Sequence, residues 1–224
     1  ILPTGCENAK VLRELMEAAN RILEHHPLNE KLRAEGKMPA NGVWFWAEGT
    51  AVKLPDFKQE TGHDGVVVSA VPLCHGIAAL TGLSFVCPEG ATGEKDTNYE
   101  NKLAAALKIL EDHDFAAVHV EAPDECTHNG DLEGKLEVIG WLDTRLIRPL
   151  DAAMRERGWD YRLLFLSDHK TLTSTRGHDG DPVPYMLYDS RVDTKAGLPY
   201  TEKSGEKGPY VNSGVSLMSI LFEK

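Results

Sequence analysis

The chain has 224 residues, 42% hydrophobic and 26% charged, which is the composition of a globular protein. Its formal net charge of -11 predicts no basic surface, which excludes nucleic acid and anionic membranes as partners. No apolar run reaches the roughly 18 residues that a membrane span needs, and residues 1–10 lack the pattern of a signal peptide.

The four cysteines form no Cys-x-x-Cys pair, and their spacing is not that of a disulfide framework. They are Cys6, Cys74, Cys87 and Cys126. Free thiols are typical of a reducing compartment, so the sequence predicts a cytoplasmic protein. Cys126 lies inside a candidate ligand motif. We interpret it as a small packing residue, with a metal ligand as the alternative.

The apolar spacing predicts an amphipathic helix over Ala9 to His26, bounded by Pro27 and followed by a turn-rich link. From residue 43 onward, short apolar runs alternate with helical stretches. The predicted strands are Val43 to Trp46, Val66 to Ala70, Leu83 to Cys87, Phe115 to Glu121, Leu163 to Leu166 and Val183 to Tyr188. The predicted helices are Pro72 to Leu80, Thr97 to Asp112, Leu132 to Arg157 and Ser213 to Phe222. This alternation predicts an α/β fold, a three-layer sandwich with a mixed but largely parallel sheet.

Two of the predicted strands end in side chains that commonly bind metals. Asp124 and His128 follow the first of these strands, and Asp168 and His169 follow the second, with His178 nine residues later. Ligands collect at the carboxyl ends of parallel strands, and carboxylate oxygen with imidazole nitrogen suits Mn²⁺ or Zn²⁺. From the residues alone, two alternatives remain open: Asp168 could cap a helix or turn, and His178 could be a surface imidazole.

Several motifs, in order, resemble those of the archaeal-type 2,3-bisphosphoglycerate-independent phosphoglycerate mutases of the alkaline phosphatase superfamily. They are NGVWFWAEGTAVKLPDF, SAVPLCHGIAALTGL, PEGATGEKDTNYENK, VHVEAPDECTHNGDLEGK and SDHKTLTSTRGHDGDPVP. The resemblance covers nearly the whole chain and is weakest from Arg191 to Pro209. It implies an alkaline-phosphatase-like core, and it implies that the intact protein interconverts 2-phosphoglycerate and 3-phosphoglycerate through a phosphoserine.

The resemblance also implies two divalent ions, Mn²⁺ first, with Zn²⁺ or Mg²⁺ as alternatives. It gives Asp124, His128 and His178 to one ion, and it gives Asp168 and His169 to the other. Where this family often has a cation, the sequence has Thr50, so Lys53 is the candidate for substrate binding.

The family's opening strand, with a further Asp ligand and the nucleophilic Ser, has no match in the sequence. We therefore expect residues 1–40 to be a helix and linker trailing from an inserted domain, and residues 41–224 to be the C-terminal part of the catalytic domain. The core would be incomplete at its N-terminus, without a catalytic nucleophile, and inactive alone. The alternatives are another phosphatase or phosphomutase of the superfamily, or a non-catalytic metal-binding module.

Overall fold

The computed structural model describes residues 2–5, 7–45, 49–192 and 197–223. The chain divides into two compact units, Ile1–Val52 and Lys53–Lys224. The sequence places a boundary at residue 40 because residues 1–40 are expected to trail from an inserted domain. That expectation stays a prediction. Within the described residues, no helix combines the length and the apolar character needed to cross a membrane.

The first unit contains two helices where the sequence predicted one. Helix α1 spans Ala9–Glu24 and helix α2 spans Pro27–Ala34. Proline starts the second helix because its fixed φ suits the first helical position, and the His26 side chain caps that end by accepting a hydrogen bond from the Leu28 amide. Proline therefore separates two helices here and does not only end the first.

The strand predicted over Val43 to Trp46 does not form in its described part. Residues 43–45 have no strand conformation, and their side chains are exposed. Trp46 lies outside the described residues. An apolar run becomes a strand only when a neighbouring strand takes up its backbone hydrogen bonds, and the seven strands of the described residues pair only with one another.

The second unit follows the predicted alternation of strands and helices. It begins with α3 (Phe57–Thr61), β1 (Gly65–Val68), α4 (Pro72–Leu80), β2 (Ser84–Val86), α5 (Tyr99–Ile109) and β3 (Phe115–Val118). It continues with α6 (Ala122–His128), α7 (Leu132–Trp141), a π-helical turn (Leu142–Ile147) and α8 (Arg148–Glu156). It ends with β4 (Arg162–Leu166), β5 (Lys170–Leu172), β6 (Gly177–Asp179), β7 (Tyr185–Asp189), α9 (Glu202–Gly205) and α10 (Ser216–Phe222).

A three-stranded parallel sheet forms the centre of this unit, with β1 between β2 and β3. Val66 pairs with Ser84 on one side and with Ala116 on the other. Helices α4 and α5 pack against these strands, and Val68 is fully buried. The α/β class and the parallel sheet predicted from the sequence are therefore confirmed.

The later strands correct the expectation of one continuous sheet. β4 pairs with β7 in antiparallel fashion, and β5 and β6 form a separate antiparallel hairpin. A parallel pairing needs a crossover connection, usually a helix, and the chain between β4 and β7 contains only this hairpin. β7 can therefore return beside β4 only in the opposite direction.

The helix predicted over Leu132 to Arg157 is interrupted by the π-helical turn that joins α7 to α8. Pro149 lies in the first turn of α8, where its missing N–H is tolerated. Val138 of α7 is fully buried and packs in a core cluster with Tyr99 of α5 and with Ala122 and Cys126 of α6. This cluster fixes α6, and α6 carries two of the candidate ligands.

Candidate metal site

Helix α6 places two candidate ligands on one face. Asp124 and His128 are four residues apart, so they lie one above the other on the helix surface. Ala122 and Cys126 occupy the opposite face and are 0% and 5% exposed. The thiol of Cys126 therefore packs in the core, and its interpretation as a small packing residue is confirmed.

The β5–β6 hairpin brings the third ligand to this face. His178 lies in β6, and its Nε2 is 3.5 Å from Asp124 Oδ1 and 3.1 Å from His128 Nε2. His128 Nε2 is in turn 3.1 Å from Asp124 Oδ2. Residues from helix α6 and from the β5–β6 hairpin thus lie close together in the structure. We call these three residues the Asp–His–His cluster.

The spacing of the Asp–His–His cluster fits a cation. Ligands about 2.1 Å from one ion lie roughly 3.0 to 3.4 Å apart in octahedral or tetrahedral geometry. Two of the separations, both 3.1 Å, lie in that range, and the third, 3.5 Å to the other oxygen of the Asp124 carboxylate, is just above it. The donor set of one carboxylate and two imidazoles suits Mn²⁺ or Zn²⁺.

The Asp168-His169 pair lies beside this cluster. His169 contacts the cluster, whereas Asp168 points toward solvent. The His169 ring stacks near the His178 ring, with centroids 3.8 Å apart. The Asp168 side chain is 83% exposed, and its carboxylate lies 3.3 Å from His169 Nε2. Thr171 links the pair to the cluster, because its hydroxyl donates to Asp124 Oδ1 and lies 3.3 Å from His169 Nδ1.

Lys53, the candidate substrate cation, is exposed and lies in the segment before α3. No described hydrogen bond or ion pair joins it to the Asp–His–His cluster. The described contacts therefore do not place Lys53 at the cluster, and its role in substrate binding stays a prediction.

Two further carboxylates beside the cluster were not predicted from the sequence. Glu121 and Glu125 come close enough to Asp124 for the three to share an ion. Burial raises the pKa of Glu121, and the Asp124 carboxylate raises it further. Burial also raises the pKa of Glu125. The sequence could have indicated both as candidate ligands, because they lie within three residues of Asp124 at the start of a helix that follows a strand.

A buried polar network holds the strand ends beneath the cluster. Lys102 is 1% exposed, and its ammonium donates to the His119 carbonyl at 2.8 Å. The His119 ring lies 3.2 Å from the hydroxyl of Ser69, which is fully buried. Burial lowers the pKa of His119, and the nearby charge of Lys102 lowers it further. His119 is therefore a half-buried, hydrogen-bonded histidine, and Ser69 has no exposed surface for attack on a substrate.

The fold and the carboxylate–imidazole cluster are those of a metal-dependent α/β enzyme. The chain belongs to the Metalloenzyme superfamily, whose family model matches residues 6–222. The family's chemistry and the cluster together indicate use of a divalent metal.

Relatives within this superfamily are phosphoglycerate mutases by name. A Geobacter sulfurreducens protein named "Probable 2,3-bisphosphoglycerate-independent phosphoglycerate mutase" is 41% identical over 100% of this chain and 56% of its own length. The 2,3-bisphosphoglycerate-independent phosphoglycerate mutase of Methanothrix thermoacetophila is 38% identical over 93% of this chain and 53% of its own length. The similarity to these mutases, predicted from the motifs, is confirmed, and the chain spans about half of each relative.

Solved structures support the fold. The PH0037 protein of Pyrococcus horikoshii is 30% identical and superposes with a TM-score of 0.77, over 96% of this chain and 57% of that one. The cofactor-independent phosphoglycerate mutase of Thermoplasma acidophilum is 23% identical, with a TM-score of 0.54 over 96% of this chain and 51% of that one. The second comparison bears on the fold alone.

Proposed function

We propose that the chain supplies part of the active site of a metal-dependent phosphoglycerate mutase that interconverts 2-phosphoglycerate and 3-phosphoglycerate. The observation that carries the proposal is the convergence of the Asp–His–His cluster from helix α6 and the β5–β6 hairpin, with donor spacings close to those around a cation. The names of the relatives support the substrate class. The acidic character of the chain fits a phosphorylated substrate only if cations are placed locally, and metal ions provide them.

In this proposal, Asp124, His128 and His178 hold one Mn²⁺ ion, and Asp168 and His169 contribute to a second. Bound divalent ions neutralise phosphate charge and orient the group for in-line transfer. The chain's own residues prepare that geometry. The Thr171 hydroxyl donates to Asp124 Oδ1 and so fixes the carboxylate rotamer. Lys53 is proposed to contact the substrate.

The hairpin that carries His178 is itself fastened to the neighbouring helix. Lys135 of α7 donates from its ammonium to the Thr171 carbonyl at 2.9 Å. This bond holds β5, and through the β5–β6 pairing it holds His178. Both sides of the cluster therefore rest on helices, which limits the motion of the ligands before an ion binds.

Calorimetric titration with Mn²⁺ tests the metal site directly. We expect the 224-residue chain to bind Mn²⁺ and His178→Ala to bind it at least about tenfold more weakly, because one of three nitrogen or oxygen donors is lost. His113→Ala is the matched control, since this exposed histidine lies before β3 at the other end of the sheet. Equal affinity in wild type and His178→Ala would remove His178 from the ligand set.

Turnover by the chain alone is a separate question. The motif comparison assigns no nucleophilic serine to this sequence, so we expect incubation with 3-phosphoglycerate and Mn²⁺ to give no measurable 2-phosphoglycerate. An enolase-coupled assay measures the product. Turnover comparable to that of an intact mutase would mean that a nucleophile lies within these residues, and the role assignments would have to be revised.

A cytoplasmic location is the last part of the proposal. Cys74, Cys87 and Cys126 are free thiols in the described structure, and glycolytic chemistry on phosphorylated small molecules needs an intracellular pool of substrate. Alkylation of protein freshly released from cells, followed by mass spectrometry, should find these thiols reduced. Disulfide formation at Cys74 or Cys87 in that sample would contradict the assignment.

A further inference from the structure

The second ring nitrogen of His128 contacts the backbone of a residue outside the ligand set. His128 Nδ1 lies 2.7 Å from the carbonyl oxygen of Arg176. A carbonyl can only accept a hydrogen bond, so Nδ1 must carry the hydrogen. In the neutral ring, which is the form that binds a metal, the lone pair is then on Nε2, and this is the atom that faces Asp124 and His178. The partner of one ring nitrogen thus decides which nitrogen is free to bind a metal.

The backbone of Arg176 is strained where it makes this contact. Its φ is 54°, and it is the one non-glycine residue with positive φ in the part of the chain that the structure describes. A side chain with a Cβ disfavours this conformation, so the surroundings must hold it. The Arg176 amide donates to the Leu172 carbonyl at 2.8 Å and closes the turn between β5 and β6. In this turn the Arg176 carbonyl points at His128.

The side chain of Arg176 lies at the same end of helix α6 as its carbonyl. Its guanidinium lies against Gly130, where an added Cβ would come within 2.5 Å of Nη2. Gly130 follows the C-terminal end of α6, and a cation is favoured at the negative end of a helix. Arg176 therefore joins two segments, α6 with Asp124 and His128, and the hairpin with His178.

We propose that Arg176 is a positioning residue for the metal site, whose left-handed backbone aims its carbonyl at His128 Nδ1 and thereby presents Nε2 to the cation. The inference rests on the proposed function, because it presupposes that the Asp–His–His cluster binds an ion. It assigns the effect to the backbone conformation of Arg176, while the guanidinium only supports the turn from the side of Gly130.

Two substitutions separate the backbone from the charge, because both remove the guanidinium. Asparagine tolerates the left-handed region, and the β-branched valine does not. We expect Arg176→Asn to keep the Mn²⁺ affinity within about threefold of wild type in calorimetric titration. Arg176→Val should bind about tenfold or more weakly, the loss typical of an outer-shell partner. Wild-type affinity in Arg176→Val, or equal weakening in both variants, would overturn the assignment to the backbone.

A second measurement needs no variant and so does not depend on whether Arg176→Val folds. The chain is labelled with ¹⁵N-histidine and loaded with Zn²⁺, a diamagnetic probe for imidazole ligands. Long-range proton–nitrogen spectra should show His128 protonated at Nδ1 and bound to the metal through Nε2. Coordination through Nδ1, or an unprotonated Nδ1, would overturn the inference.

The titration of His178→Ala distinguishes this inference from the proposed function. If wild type binds Mn²⁺ and His178→Ala binds it more weakly, the metal site stands, and the Arg176 variants then decide the inference alone. If wild type shows no Mn²⁺ binding, the metal site fails, and the positioning role of Arg176 fails with it; if wild type binds with the same affinity as His178→Ala, only His178 leaves the ligand set.

Discussion

The two ends of the parallel sheet carry the same types of side chain in different arrangements. At the amino end, His63-Asp64 precedes β1 and His113-Asp114 precedes β3. These dipeptides pair crosswise, with His63 Nδ1 3.4 Å from Asp114 and His113 Nδ1 3.2 Å from Asp64. At the carboxyl end, the Asp–His–His cluster brings three donors to one point. Histidine and aspartate are present at both ends, but among the described residues only the carboxyl end brings three such donors together in the geometry of an ion site.

The difference comes from the elements that carry the residues. The amino-end dipeptides lie in the short segments before two neighbouring strands, so each imidazole meets one carboxylate, and the Asp64 amide, which carries no metal-binding lone pair, joins the two pairs by donating to Asp114. At the carboxyl end, a helix face and a hairpin approach from different directions. Convergence therefore requires two elements whose facing surfaces are both fixed by packing, and residue type alone does not produce it.

The largest expected effect is loss of metal binding on replacing the carboxylate shared by both histidines. Asp124→Asn should weaken Mn²⁺ binding by more than about 100-fold, beyond the loss typical of an outer-shell partner, because the charge that attracts the ion is removed. Calorimetric titration measures it, with Asp64→Asn at the amino end as the control. A comparable loss in Asp64→Asn would break the contrast between the two ends.

The next effect concerns the network beneath the cluster. Lys102→Ala removes a buried ammonium and its hydrogen bond to the His119 carbonyl, so it should lower the free energy of unfolding by about 2 kcal/mol. Lys108→Ala on the same helix is the control, since Lys108 is exposed and pairs only with Glu111 among the described residues. Urea unfolding that finds both variants equally stable would mean that the buried lysine does not hold the carboxyl end.

A smaller effect is expected at the exposed member of the Asp168-His169 pair. Asp168→Ala should change the Mn²⁺ affinity of this chain by less than about threefold, because its side chain is 83% exposed and contacts the cluster only through His169. The same titration compares it with Asp124→Asn. A tenfold loss would show that Asp168 already shares an ion with the cluster, which would enlarge the site at the carboxyl end.

The smallest effect is a pH dependence at the amino end. The hydrogen bond from His113 holds the pKa of Asp64 below its ordinary value. A lowered folded pKa contributes stability above the unfolded pKa of about 3.9, and this contribution is lost as the pH falls through the folded pKa. Asp64→Asn should therefore be slightly less stable than wild type at pH 6, with the difference shrinking in acid. Urea midpoints across pH 3 to 6 measure it, with Asp112→Asn as the control, and a difference that grows in acid would reverse the sign assigned here.

Two ligands of the cluster were predictable because their spacing is local. Asp124 and His128 are four residues apart after an apolar strand, and Pro123 marks the start of their helix. The parallel pairing of β1 and β3 then followed from the alternation of strands and helices. These features depend on patterns that a short stretch of sequence contains.

The remaining parts depend on contacts that no short pattern encodes. β5 and β6 have three residues each and no apolar alternation, so the hairpin that delivers His178 could not be predicted. The left-handed backbone of Arg176 runs against the preference of its residue type, and tertiary contacts impose it. The apolar stretch 43–45 failed as a strand for the converse reason, since it had the right composition but none of the described strands lies beside it in a sheet.

The wide turn between α7 and α8 holds one residue more than an α-helical turn would, so insertion and deletion there have different consequences. A π-helical turn closes each hydrogen bond over one residue more than an α-helix does, so the residues beyond it are rotated by about 100° relative to a continuous α-helix. That rotation turns Leu150 and Met154, 8% and 3% exposed, toward the interior. Deleting a single residue from Leu142–Ile147 would therefore let the segment close as an ordinary α-helix with both side chains still facing the interior, whereas adding one residue would turn them by about 100° toward water.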